Sequence, residues 1–179
     1  MSKTVPTLLY QHKFIQIPQI KPGLSCDLEQ LKIKEISCLI AIRNLSPFKI
    51  EQFQQRLERG DICYVASHDG QPVHFSWLQT EGTHPISPAG RSWPIKPGEA
   101  WIYDCRTADW AQRQGIYPFV LTHILRNLKA ESFSCAWIYT STDNIASQKG
   151  INKAGFQLKN HLYCIEFAGR VFPLPPLPW

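Results

Sequence analysis

The chain has 179 residues, 44% hydrophobic and 18% charged, enough for one good core and too little for two complete domains, so residues 1–179 are expected to form a single unit. Nineteen Lys and Arg against 14 Asp and Glu give a formal charge of +5 without a run of five or six basic residues, which argues against a nucleic-acid tail and suits an anionic cofactor. Cys26, Cys38, Cys63, Cys105, Cys135 and Cys164 form no C-x-x-C pair, and MSKTVPTLLYQHKF lacks the apolar stretch of a signal peptide, so a reduced, cytoplasmic protein without a membrane span is expected.

LLYQHKFIQI, residues 8–17, reads as a first strand ended by the prolines and glycine of PQIKPG. Leu28, Leu31, Ile36, Leu39, Ile40 and Ile42 follow at helical spacing, which predicts a helix over 27–45. Ser46 and Pro47 give a cap and first-turn signal for a second helix that Gly60 closes. Residues 61–79 are two strand-like runs around Asp69-Gly70, a dipeptide suited to the positive φ angles of a tight hairpin. Residues 80–98 carry Pro85, Pro88, Pro94 and Pro97 with Gly82, Gly90 and Gly98, too many breakers for an interior element, so a long loop bordering a site is predicted. EAWIYDCRT, residues 99–107, reads as a central strand, SCAWIYTST, residues 134–142, as a second buried one, and 143–154 as a short helix ended by Gly155-Phe156. LYCIEFAG supplies a last strand before the tail VFPLPPLPW, and no internal repeat is present.

Between the two central strands lies AQRQGIYPFVLTHILRNL, residues 111–128, a polar turn running into an amphipathic helix. A strand, turn and helix in that order put the helix's first unpaired N–H groups, and the positive end of its dipole, at the carboxyl end of the strand, where an anion binds. A helix starting near Gly115 places Pro118 in its first turn, where a missing N–H does no harm. An ordinary helix start fits this stretch equally well on its own.

The segment DNIASQKGINKAGF, residues 143–156, arriving one strand later, completes a pattern. Gln112, Gly115 and Tyr117 stand where the GCN5-related N-acetyltransferase superfamily has Gln or Arg, Gly, then Gly or Ala; Asn144, Ser147, Ile151, Gly155 and Phe156 stand where it has Asn, a small residue, Tyr, Gly and Phe. The chain resembles that superfamily over about residues 99–156, departing from it at Tyr117 and Ile151. The resemblance implies an α/β fold with a mixed central sheet, its central strands splayed and flanked by helices, and acyl-CoA as donor with its pantetheine arm in the gap. Carried over by position, Cys105, Arg106 and Thr107 would offer main-chain bonds to pantetheine, Gln112, Arg113, Gln114, Gly115, Ile116 and Tyr117 would cradle the pyrophosphate, and Asn144 and Ser147 would touch the arm from the other side. The activity implied is transfer of an acetyl or longer acyl group to the primary amine of a small molecule or peptide, without nucleic acid or metal.

Such a transfer needs a base, since a lysine-like amine with a pKa of about 10.4 is protonated at neutral pH. Glu99 and Tyr103, on one face of the strand, rank above Asp104, which faces the other way unless a bulge intervenes; His74 is the fourth candidate. The alternatives are a solvated strand end for Glu99, a carboxylate held by Arg106 or a backbone donor for Asp104, and a satisfied core histidine for His74. Tyr139 or Tyr163, each otherwise an amphipathic core residue with a satisfied hydroxyl, can replace the tyrosine missing at Ile151, and Trp77, Trp93, Trp101, Trp110 and Trp137 are either core or the walls of a tunnel for a longer acyl chain. A binding module that kept the cleft and lost catalysis is the competing reading. Neither G-x-x-x-x-G-K-[ST] nor G-x-G-x-x-G after a strand occurs, and the six histidines lack metal-ligand spacing.

Overall fold

The computed structural model describes residues 3–4, 6–42, 47–167 and 170–174. In chain order the elements are β1 (Lys3–Thr4), β2 (Thr7–His12), β3 (Asp27–Gln30), a 3-10 helix (Ile33–Ala41), α1 (Pro47–Glu58), β4 (Ile62–His68), β5 (Gln71–Gln79), β6 (Thr83–Ile86), β7 (Arg91–Pro94), β8 (Glu99–Thr107), α2 (Ile116–Ala130), β9 (Cys135–Ser141), α3 (Ile145–Lys153), β10 (Gln157–Leu162), β11 (Cys164–Phe167) and β12 (Arg170–Pro173). A seven-stranded mixed sheet runs β10-β2-β9-β8-β5-β4-β3. Its middle is β5 and β8, whose runs VHFSWLQ and AWI are buried on both faces. Asp69 and Gly70, at φ 50° and 74°, make the tight turn that joins β4 to β5.

Helices cover both faces. Phe53 of α1 packs its ring 5.5 Å from Phe75 and 5.1 Å from Trp77, while on the other face α2 meets β4 through Tyr64 and His123, 5.9 Å apart. Val120, Leu121, Ile124, Leu125 and Leu128 form the fully buried stripe of α2, as their spacing requires. The α1 face continues under the β6–β7 hairpin, where Leu9, Ile86, Ala89, Trp101 and Leu162 make a second cluster against Trp93, Trp137 and Tyr139.

Four elements differ from the sequence expectation. The helix expected over 27–45 is divided: Asp27–Gln30 pairs antiparallel with β4, Asp27 opposite Ser67, Ile33–Ala41 winds as a 3-10 helix, and residues 43–45 lie outside the described residues. An open sheet edge won over helical spacing there. Residues 80–98 are not a loop but hold the β6–β7 hairpin, in which Pro85 and Pro94 are tolerated because the two strands have no further neighbours. The first strand stops at His12, and LYCIEFAG is split between β10 and β11, with β12 folding the start of the proline-rich tail back onto β11. The Ser46 cap and residues 175–179 lie outside the described residues.

Candidate active site

The two parallel central strands part almost at once. Pairing between β8 and β9 is confined to Glu99 with Cys135, Ala100 with Ala136 and Trp101 with Trp137, after which β8 stays with β5 and β9 with β2. Main-chain groups beyond Trp101 on the inner edge of β8 therefore face a gap instead of a neighbouring strand. A cleft of about 1790 Å³ opens there, lined by Tyr103–Thr107, Gln112, Arg113, Gly115–Pro118, Ile138–Ser141 and the start of α3.

On the α2 side the cleft is built from backbone. Arg113 at φ 63° and Gly115 at φ 72° coil the chain into the start of α2, with Gly115 as N-cap. The N–H groups of Arg113, Gln114, Gly115, Ile116 and Tyr117 find no protein acceptor among the described residues, so successive donors point outward from the helix end. Pro118, buried in the first turn, costs no hydrogen bond. Asn144 caps α3 by accepting from the Ser147 N–H at 3.0 Å, and Arg106, Arg113, Lys149 and Lys153 add positive charge to the cleft wall. Tyr117 turns its ring inward over Gly150, where a Cβ would lie 2.5 Å from Cδ1, and its hydroxyl reaches Ser147 Oγ at 3.5 Å. A bulky residue is thus housed where a small one is usual, because α3 presents a glycine opposite it.

On the α1 side the cleft is built from side chains, and a bulge in β8 sets their direction. Phe75 pairs with Arg106 but Trp77 with Tyr103, so β8 carries one extra residue, and Asp104 takes it up at φ 44°. Tyr103 and Asp104 consequently share a face. Asp104 accepts from Arg56 of α1 at 2.7 Å, with Lys49 at 3.6 Å and Arg106 at 3.8 Å, and Arg56 lies over the rings of Phe53, Trp77 and Tyr103. The Tyr103 hydroxyl donates to Asp61, which also holds Arg59; burial, opposed by Arg56, pushes the phenol far above its ordinary pKa.

The candidate bases lie at different places around the cleft. Glu99 shares the face of Trp101 and Tyr103, but it sits at the closed end of the fork, outside the cleft lining, accepting from the Lys96 N–H at 3.4 Å. Asp104 faces the α1 side, as a bulge allows, and is committed to three cations. His74 lies on the α2 side with Nδ1 on Thr107 Oγ1 at 2.7 Å and Nε2 on Ser76 Oγ at 2.8 Å, and burial pushes its pKa down to about 3. Both of its nitrogens are used, as in the core-histidine alternative. Ile151 is fully buried in the main core and does not reach the cleft. The tryptophans line no tunnel: Trp93, Trp101 and Trp137 pack on one another at 5.8–6.0 Å, Trp77 is buried against Phe53, and Trp110 is exposed.

Sequence reasoning missed His84. It is 1% exposed on β6, at the cleft wall, with its ring stacked 4.8 Å from Trp101 and tilted against Tyr103 at 4.9 Å. Its segment Thr83–Ile86 alternates exposed and buried in the structure, but in the sequence the prolines in and around it read as a loop.

A parallel fork opening beside an unpaired helix N-terminus is the arrangement that the resemblance implies. The profile of the Acetyltransferase (GNAT) family matches residues 29–156, and the chain belongs to that family. An acetyltransferase from Colwellia psychrerythraea superposes with TM-score 0.67 at 17% identity, over 97% of this chain and 57% of that one. The ribosomal-protein-S18-alanine N-acetyltransferase from Escherichia coli does so with TM-score 0.58 at 15% identity, over 74% and 78%. A glucosamine N-acetyltransferase region of a fungal multi-domain beta-N-acetylglucosaminidase gives TM-score 0.66 at 15% identity, over 92% and 21%. At these identities the likeness is one of fold. No curated protein matches the sequence. Among the described residues no His, Cys, Asp or Glu side chains gather as a metal would need, and no helix is long and apolar enough to cross a membrane.

Proposed function

We propose that the chain is a cytoplasmic N-acyltransferase that moves a short acyl group, such as acetyl, from an acyl-CoA to the primary amine of a small molecule or peptide. The observation that carries this reading is the fork: β8 and β9 separate after Trp101 and Trp137, and the gap ends at the unpaired N–H groups of residues 113–117. The first binds an extended amide-bearing arm as a strand would be bound; the second, with Arg113, Lys149 and Lys153, suits a pyrophosphate. Cys105, Arg106 and Thr107 hold the arm by main-chain groups, and Asn144 and Ser147 border it from α3. The packed tryptophans at the base of the fork favour a short acyl group over a fatty one, because the space a long chain needs is filled. The acceptor enters from the α1 side, where Lys49, Arg56 and Tyr103 form the wall. Tyr139, a neutral phenol because burial raises its pKa, takes the place that Ile151 leaves beside the departing thiolate.

The second reading, an acyl-CoA-binding module without turnover, is favoured by the burial of Ile151 where the family has its tyrosine. One experiment separates the two. Acetyl-, butyryl- and palmitoyl-CoA are titrated by thermal shift, and free thiol is then followed with D-glucosamine, an alanine-led peptide and lysine methyl ester as acceptors. Acetyl-CoA should give the largest stabilisation, since a ligand confined to the native state raises stability by RT ln(1 + [L]/Kd). Thiol release that depends on the amine supports the enzyme; binding without release supports the module.

A further inference from the structure

On and behind the α1 wall of the cleft, the carboxylates are committed. Asp61 holds Arg59 and the Tyr103 hydroxyl, and Asp104 holds Arg56 and Lys49. His84 differs. Its Nδ1 lies 2.8 Å from Gln79 Oε1, and the orientation of that amide is fixed because Gln79 Nε2 donates to the Glu81 carbonyl at 2.9 Å. A carbonyl oxygen only accepts, so Nδ1 carries the imidazole's single proton and Nε2 is a bare lone pair. That Nε2 is buried and has no hydrogen-bond partner. Buried polar atoms are ordinarily satisfied, and one left open in a cleft wall calls for a ligand donor. The ring cannot easily turn to satisfy itself: Trp101 stacks on it, Tyr103 packs at 4.9 Å and Tyr139 at 5.9 Å.

We propose that His84 is the base of this reaction, its Nε2 accepting the N–H of the acceptor amine across the fork from the acyl donor. The inference rests on the acyltransferase reading above and assigns within it the step that Glu99, Asp104 and His74 do not fill. The amine reaches the site as the free base, its ammonium proton released to solvent. Its nitrogen then bonds to the thioester carbonyl carbon, the C–S bond breaks with its electron pair leaving on sulfur, and the surplus N–H proton passes to His84 Nε2. It then moves to the thiolate, so that amine and thioester give amide and free thiol with nothing left over. Burial pushes the His84 pKa down to about 4 against the pull of Asp61, which keeps the ring neutral around pH 7 and makes the transient imidazolium quick to release its proton. Gln79 is a positioning residue: it selects the tautomer and touches no reactant.

His84→Asn tests this, because the Asn amide can still donate to Gln79 while the Nε2 lone pair is gone. Acetyl transfer to the best of D-glucosamine, the alanine-led peptide and lysine methyl ester should lose about 10² to 10³ in kcat, with CoA affinity unchanged, and imidazole added to His84→Ala should restore part of the rate. A His84→Asn rate within threefold of the unaltered chain, or an absence of imidazole rescue, overturns the assignment and leaves the enzyme reading standing. An unaltered chain that binds CoA and acetylates none of the three amines overturns both. Should His84→Asn not fold, nitrogen NMR of the unaltered protein decides: a bare Nε2 whose resonance moves when acceptor amine joins bound CoA supports the proposal, and a protonated or unmoved Nε2 overturns it.

Discussion

The two walls of the cleft are made differently. The α2 wall presents main chain: positive-φ turns at Arg113 and Gly115 and the first N–H groups of a helix, arrangements that neighbouring residues specify among themselves. The α1 wall presents side chains from α1, β5, the β6–β7 hairpin and the bulged part of β8, brought together only by the tertiary fold. A backbone site tolerates substitution so long as the turn survives, as Tyr117 does by leaning on Gly150. A side-chain site is sensitive to the identity of each member.

The sharpest way to break the contrast is at Gly115. Gly115→Asp has room for its Cβ, the nearest atoms being 3.9 Å away, but it must hold φ 72° and it sets a negative charge among the free N–H groups. CoA affinity, measured by titration calorimetry, should fall at least about 100-fold, or roughly 2.7 kcal/mol, while the acceptor wall stays intact.

Acid should act next, and on both walls. His74 at about 3 and His84 at about 4 are held below the ordinary histidine pKa of 6.5 by burial. The unfolded chain therefore binds more protons than the folded one below pH 6.5, and stability is lost as pH falls from there toward 4, by up to about 1.4 kcal/mol per pH unit for each histidine. Denaturant midpoints across that range should decline, and His74→Asn should flatten the decline without touching the acceptor wall.

Gly150→Ala drives a methyl to 2.5 Å from the Tyr117 ring and should cost about 1 to 3 kcal/mol by chemical denaturation. Made in a Tyr117→Ala background it should cost markedly less, a non-additivity that identifies the pair. Asp104→Asn keeps a side chain that accepts φ 44° but strips Arg56 of its counter-ion, for about 1.5 kcal/mol. The smallest effect is expected at Glu99→Gln, outside the cleft, where the transfer rate should stay within about twofold; a large loss there would restore Glu99 as the base and dissolve the contrast.

The same division decides what the sequence makes legible. The cradle at residues 112–117 and the Asn144 cap are local, so glycine, proline and cap signals within one short stretch disclose them, and α2 and β8 follow from periodicity alone. Glu99 and Asp104 were ranked by strand alternation, which holds up to Tyr103 and fails one residue later, because a bulge is a property of two paired strands and only one is read at a time. His84 was lost in a segment whose prolines mimic a loop, and Asp27–Gln30 in one whose helical spacing yields to a vacant sheet edge.

That extra residue at Asp104 also amounts to a phase slip. A strand is a two-beat pattern, and inserting one beat exchanges the destinations of everything after it: Cys105 and Thr107 go to the α2 side, where Thr107 meets His74, and Arg106 stays with Asp104. Chain length at this point is therefore a functional variable in its own right. Removing Asp104 altogether would restore strict alternation, keep Cys105, Arg106 and Thr107 on their present walls and in register with β5, and take from the α1 wall the carboxylate that holds Arg56, Lys49 and Arg106.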